Sequence, residues 1–313
     1  MEDFIKVRMS NIQHYLNTPL YFINTDGEHI LYKGEGTRLT RKRIEEESFP
    51  KQFFIKASDR LDSLKELQKS FNKKLTYEIN QCIKSNDVTE VKNTLASLAY
   101  ETLSEPRAGT LGLMKDSVNI MVDEFSENPN MLISIANFKS GDYTTIMHSI
   151  NVMALTLGYC AKYSSDYSKE ETKDYGLAAL LHDLGKTKIP IDILTADRRL
   201  TDEEFEIIKS HPKYGYKMIV RDKLNETIQD AALQHHEKLD GSGYPNGIKK
   251  ISHIGQLIGI IDCYEALTND DRHYRTAEEP LAVLAKYLKP DTESGKFNKG
   301  IFINFVRLLG SQK

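Results

Sequence analysis

Seven residues carry types and spacings suited to chemistry: His148, His182, Asp183, His211, His235, His236 and Asp262. Each sits at the end of an apolar helical stretch or inside one. An ionised carboxylate at the edge of a core is costly unless something compensates it, and a metal ion does. Taken singly, each residue reads as a satisfied core group. Together they are five imidazoles and two carboxylates on consecutive segments of one helical pattern. Helical bundles build metal sites in this way, from inward side chains on facing helices. Neighbouring helical residues project about 100° apart. His182-Asp183 and His235-His236 are therefore suited to serve two adjacent metals, and a carboxylate between helices can bridge them. Seven ligands exceed what one tetrahedral zinc takes. A nitrogen and oxygen set without thiolate suits iron or manganese, with zinc as a third candidate. Two metals roughly 3.5–4 Å apart are the usual apparatus for in-line displacement at phosphorus, holding a bridging hydroxide and neutralising phosphate charge.

The elements that must position these groups read as helices from Leu111 onward. Helices are expected over Leu111 to Phe125, Met131 to Phe138, Tyr143 to about Lys162, and Glu170 to Leu181. The Tyr143–Lys162 stretch is apolar on nearly every side, as a central buried helix is. Gly185 suits a helix C-terminus. Thr201 and Glu204 form a capping box that opens a helix running to His211, with Pro212 after it. Another helix ends at His235-His236. Ile254 to Leu267 is apolar, with one carboxylate, Asp262, in its middle.

Ahead of this region, Tyr21–Asn24 and His29–Tyr32 flank Asp26-Gly27 and read as a β-hairpin. Phe53–Ile55 is a third strand and Leu39–Glu46 a short helix. Leu61, Leu64, Leu67, Phe71 and Leu75 recur at helical spacing. Ser104 to Gly109 is the best linker. The expected organisation is a small α/β domain over 1–70, regulatory or dimerising, a helical connection over 71–110, and an all-α domain over 111–313. The fold class is thus mainly α.

Composition narrows the function classes. The chain is 40% hydrophobic and 28% charged, as globular domains are. A net charge of −3 gives no basic excess for a nucleic-acid polymer. No apolar run reaches the roughly 20 residues that span a bilayer, and the N-terminus lacks a signal pattern. Cys82, Cys160 and Cys263 are scattered, which points to a reducing, cytoplasmic compartment.

The ordered set of motifs resembles the HD-GYP family, a branch of the HD-domain phosphohydrolases. The likeness runs from about residue 111 to 288. It is carried by Asp142–Ser149, His182-Asp183-Leu184-Gly185-Lys186 with Ile189-Pro190, Leu200–Pro212, His235–Pro245, and Ile261–Thr268. The first 70 residues are more weakly similar to small domains that precede some members.

The resemblance implies an all-α HD-GYP bundle that hydrolyses cyclic di-GMP, a bacterial second messenger, to pGpG or on to GMP. It implies that the seven residues bind two divalent ions, iron first, then manganese, then zinc, with Asp183 bridging. Asp183 and Lys186 become catalytic, Lys186 by touching the scissile phosphate and assisting the leaving oxygen. Tyr244, in Gly243-Tyr244-Pro245, becomes substrate-facing. Arg272 and Arg275 are suited to grip phosphate. Implied partners are cyclic di-GMP, a second copy of the chain, and a signalling protein of the diguanylate cyclase type.

Three departures from the family pattern bear on this. Thr144 replaces a glutamate that helps hold a third metal in some members, which predicts two metals and more pGpG than GMP. Gln256 replaces an arginine. The segment Asn269–Arg275 is one residue longer than usual, with His273 in place of proline. Two rival readings follow: a cyclic-dinucleotide-binding effector with little turnover, and a hydrolase of another nucleotide.

Overall fold

The computed structural model describes residues 3–46, 48–103, 109–125, 128–138, 145–269 and 278–310. The protein is mainly α, with a small sheet near its N-terminus. Two compact units, Met1–Thr76 and Tyr77–Lys313, divide the chain inside one long helix.

The first unit holds β1 (Phe4–Val7), β2 (Leu20–Ile23), β3 (His29–Lys33), the one-turn α1 (Arg41–Ile44), β4 (Phe53–Lys56) and the start of α2 (Arg60–Ser85). The strands form an antiparallel sheet in the order β1-β4-β2-β3. The expected hairpin is β2–β3, pairing Ile23 with His29. Gly27, at a φ of 82°, supplies the left-handed backbone its turn needs. β1 was not expected, because its partner β4 lies far along the chain. Leu20, Phe53, Ile55, Leu64, Leu67 and Phe71 are buried.

An ionic clasp fixes the loop before β2. Glu66 accepts hydrogen bonds from the Leu16, Asn17 and Thr18 amides at 2.6, 2.7 and 3.0 Å and from the Thr18 hydroxyl at 2.8 Å. Lys33 donates to the carbonyls of Leu16, Thr18 and Gly34 at 2.9, 3.0 and 3.1 Å. Burial raises the cost of the Glu66 charge, yet these donors hold its pKa below the ordinary value.

The second unit continues with α3 (Thr89–Leu103), α4 (Met114–Phe125), α5 (Pro129–Asn137), α6 (Thr145–Lys162) and α7 (Lys169–Leu181). Then come α8 (Ile191–Leu194), α9 (Asp202–Ile208), α10 (His211–Arg221), α11 (Glu226–Gln234) and α12 (His253–Thr268). A helical stretch with a π turn, from α13 (Pro280–Val283) to α14 (Lys289–Glu293), leads to α15 (Lys299–Leu309). α6 is buried continuously from Met147 to Cys160 and packs on α5, α7 and α12. α11 packs on α7, α10 and α12, and α10 also meets the 3-10 turn Leu184–Lys188.

Capping boxes open α7, through Ser168 and Glu171, and α9, through Thr201 and Glu204. One expectation is corrected. The helix from Thr201 does not reach His211; α9 ends at Ile208 and His211 begins α10. Pro212 is the cause: without an N–H it is tolerated only in a first helical turn, so a new helix must start there. Among the described residues no helix is long and apolar enough to cross a membrane.

The clasp yields a stability prediction. Glu66→Ala leaves three loop amides without their acceptor and lowers unfolding free energy by about 1–2 kcal/mol. Denaturant unfolding of the full chain checks this; an unchanged midpoint contradicts it.

Candidate metal centre

Five places in the bundle converge. His148 lies in the first turn of α6, and His182-Asp183 closes α7. His211 opens α10, His235-His236 follows α11, and Asp262 lies within α12. All seven come together, with His236 half-buried and the other six buried. They fall into two sets: Asp183, His211, His235 and His236, and His148, His182 and Asp262.

Asp183 joins the sets. Its Oδ2 lies 3.4 Å from His148 Nε2 and 3.5 Å from His182 Nε2. Its Oδ1 lies 3.2 Å from His211 Nε2 and 3.8 Å from His235 Nε2. Asp262 belongs to the second set, with Oδ1 3.0 Å from His148 Nε2, while its Oδ2 stands farther off, 3.8 Å from His236 Nδ1 of the first set.

Helix ends orient the imidazoles. The ring Nδ1 of His182 hydrogen-bonds the Ala179 carbonyl at 2.7 Å, that of His211 the Ile208 carbonyl at 2.7 Å, and that of His235 the Ala231 carbonyl at 2.9 Å. A carbonyl only accepts, so each Nδ1 carries a proton and each Nε2 faces inward.

This arrangement fits divalent cations. Donor atoms about 2.0–2.2 Å from one ion stand roughly 3–3.5 Å apart, as most of these do. His182 Nε2 is buried with no hydrogen-bond partner. Three carboxylates, Asp183, Asp262 and Glu265, are buried together, which calls for positive charge.

Electrostatics agree. Burial, then His182 and His211, lowers the His235 pKa to about 3. Burial likewise lowers those of His182 and His236. These three rings are therefore neutral, as ligands must be. Burial would lower the pKa of His148 too, but Glu265 and Asp262 outweigh it and push it up to about 9. Burial works against the Asp183 charge, yet Lys186, His182 and His211 hold its carboxyl well below the usual range.

Lys186 Nζ donates to Asp183 Oδ2 at 2.5 Å, with the lysine side chain partly exposed. Gly185 brings this turn against α10: a Cβ there would lie 1.9 Å from the His211 carbonyl oxygen. Tyr244 stacks on His236, ring centroids 4.6 Å apart. Its loop is shaped by Glu237, which accepts from the Asn246 and Ile248 amides at 2.7 and 3.1 Å. Arg272, Arg275, His273 and Thr144 lie outside the described residues. Gln256 is committed to the fold: it donates to the Ile251 carbonyl at 2.7 Å and accepts from Asn298, the N-cap of α15, at 3.0 Å.

Sequence reading gave α12 a single inner carboxylate. It has two, because Glu265, one turn beyond Asp262, is also buried. Its acceptor role toward His148 was missed, as was that of Glu237. The available signal was a carboxylate three residues from Asp262, on the same helical face.

A helical bundle centred on buried histidines and aspartates is the architecture of a metal-site α domain. The chain belongs to the HD-domain family, whose profile matches residues 129–291. It is 34% identical over 200 residues to the cyclic di-GMP phosphodiesterase PA4108 of Pseudomonas aeruginosa, covering 61% of this chain and 46% of that protein. It is 37% identical over 123 residues to the cyclic di-GMP phosphodiesterase response regulator RpfG of Xanthomonas campestris, covering 38% of this chain and 32% of that one. It is 31% identical over 163 residues to the 3'3'-cGAMP-specific phosphodiesterase 2 of Vibrio cholerae, covering 50% and 31%. The chain thus spans less than half the length of these relatives. Bd1817, described as a HDG"Y"P protein from Bdellovibrio bacteriovorus, shares the fold with a TM-score of 0.63 at 18% identity, over 99% of this chain and 100% of that one.

Metal uptake is coupled to protons with a definite sign. His148 holds a proton below about pH 9 without metal and must lose it to act as a ligand. Divalent-ion binding near neutral pH therefore releases about one proton from this ring, and affinity rises with pH until about 9. Calorimetry in buffers of different ionisation enthalpy measures the release; none near neutrality contradicts the assignment.

Proposed function

We propose that this chain is a metal-dependent phosphodiesterase that opens one phosphodiester of cyclic di-GMP to give pGpG. The observation that carries the reading is Asp183, whose two carboxylate oxygens face two separate ligand sets. Among the described residues, three buried carboxylates against one lysine favour a pair of divalent cations, iron first and manganese next. Relatives named cyclic di-GMP phosphodiesterases support the substrate.

Bound there, the cations supply water activation and neutralise phosphate charge. The chain's own groups do the rest. His182, His211 and His235 keep Nε2 turned inward through backbone hydrogen bonds from Nδ1. Lys186 rests on Asp183 with its ammonium partly exposed, so it reaches an arriving phosphate while keeping its carboxylate partner. It donates a hydrogen bond to the 3′ oxygen as the P–O3′ bond breaks. A water oxygen forms the new P–O bond, and one water proton ends on the 3′ oxygen. Tyr244, half-buried on His236, borders the place a guanine-bearing ligand enters. Arg272 and Arg275 complete the phosphate grip in this reading.

The first 70 residues serve it as a regulatory or dimerising module, and a diguanylate-cyclase-type protein is the partner that fits a shared second messenger. The site of action is the cytoplasm, where the three free cysteines stay reduced. A second reading, hydrolysis of another cyclic dinucleotide, is favoured by the relative named for 3'3'-cGAMP.

Anaerobic turnover of cyclic di-GMP and 3'3'-cGAMP by iron- or manganese-loaded protein tests these readings. Accumulating pGpG is expected. GMP as the main product overturns the inference from Thr144, and faster cGAMP cleavage moves the substrate. Ligand binding without product at full metal load leaves an effector. Asp183→Ala should lose metal and roughly a thousandfold in rate; two ions retained in that variant remove its bridging role.

A further inference from the structure

Glu265 is buried on α12, one turn beyond Asp262. Its Oε2 accepts a hydrogen bond from His148 Nδ1. Its Oε1 accepts from the Asn151 side chain at 2.7 Å and the Asn269 side chain at 2.9 Å. All three donors aim at one carboxylate, so its orientation is fixed. With Nδ1 engaged, His148 turns Nε2 to Asp183 and Asp262, at 3.4 and 3.0 Å.

No other ligand among the described residues is held this way. His182, His211 and His235 lean on neutral backbone carbonyls. A carboxylate behind an imidazole makes it a more basic ligand than a carbonyl does. The two half-sites therefore differ in charge. One holds the shared Asp183 with three imidazoles, and its His236 is half-buried. The other holds the shared Asp183, Asp262 and two imidazoles, with Glu265 behind one of them. Lys186 sits on this side, at Asp183 Oδ2, and offsets one negative charge. Among the described residues an excess of one carboxylate remains there, in the more buried half, where charge acts most strongly.

We propose that Glu265 is a positioning residue that makes the half-site of His148, His182 and Asp262 the tighter of the two, so that it takes up a divalent cation first. This rests on the two-cation reading above and adds an order of filling to it. Glu265 touches neither cation nor substrate. It acts through His148.

The test is an anaerobic titration of the metal-free full chain with Mn2+ alone, followed by electron paramagnetic resonance. Wild type should bind two ions in separate steps. One equivalent should give the signal of an isolated ion, and the second should convert it to that of a coupled pair. Glu265→Gln keeps size and a hydrogen-bond acceptor but removes the charge. It should weaken the first step by about 10–100-fold and leave the second within about twofold. Glu265→Asp, charged but shorter, should recover part of the first step. A first step as tight in Glu265→Gln as in wild type overturns the proposal, as do two wild-type ions that bind with equal affinity. A wild-type endpoint of a single ion removes instead the two-cation reading on which the order depends.

Discussion

The segments that converge in the second unit answer to one constraint: the carboxylate of Asp183 is buried, charged and reachable from both sets of candidate ligands. A lone carboxylate in such a place costs several kcal/mol. One lysine at 2.5 Å and a ring of imidazoles offset part of that cost. Four of the five converging segments present helix ends, while α12 presents its flank through Asp262. A helix end leaves carbonyls without intrahelical partners. Here the carbonyls of Ala179, Ile208 and Ala231 accept hydrogen bonds from imidazole Nδ1–H groups, Ala231 while also accepting from the His235 amide, so the geometry that finishes a helix also orients a ring. Structure and chemistry share these atoms.

Close backbone contact is the second requirement. Gly185 lets the turn after Asp183 lie directly on the first residue of α10, where a Cβ would strike the His211 carbonyl. Gly243 does the same beneath Tyr244, where a Cβ would lie 2.5 Å from the His236 carbonyl oxygen. Sequence shows these glycines as turn signals. Their work as spacers between packed segments appears only when both segments are in place.

The seven converging residues, the helical bundle and the hairpin were legible in the sequence, each for a local reason. Polar groups at apolar helix ends stand out against their neighbours, and Asp26-Gly27 between apolar runs announces a turn. What was not legible depended on distant partners. β1 exists because Phe53–Lys56 pairs with it. Glu265 looked like an ordinary helical glutamate until α6 brought His148 to it. Gln256 stood out as a departure at a functional position, yet its hydrogen bonds tie helices together. The break before His211 is not visible in the helical pattern from Thr201, yet Pro212 sits in the first turn of a new helix.

The spread of the ligands along the chain has a consequence for how the protein is made. The half-site of Asp183, His211, His235 and His236 has all its residues once synthesis passes position 236. The other half needs His148, near the start of the bundle, and Asp262, on the α12 helix made last among the ligand-bearing segments. If that second half is the tighter one, a nascent chain emerging from the ribosome offers the weaker half first. Tight metal loading then waits until α12 has emerged and packed against α6, which places it after translation of the bundle rather than during it.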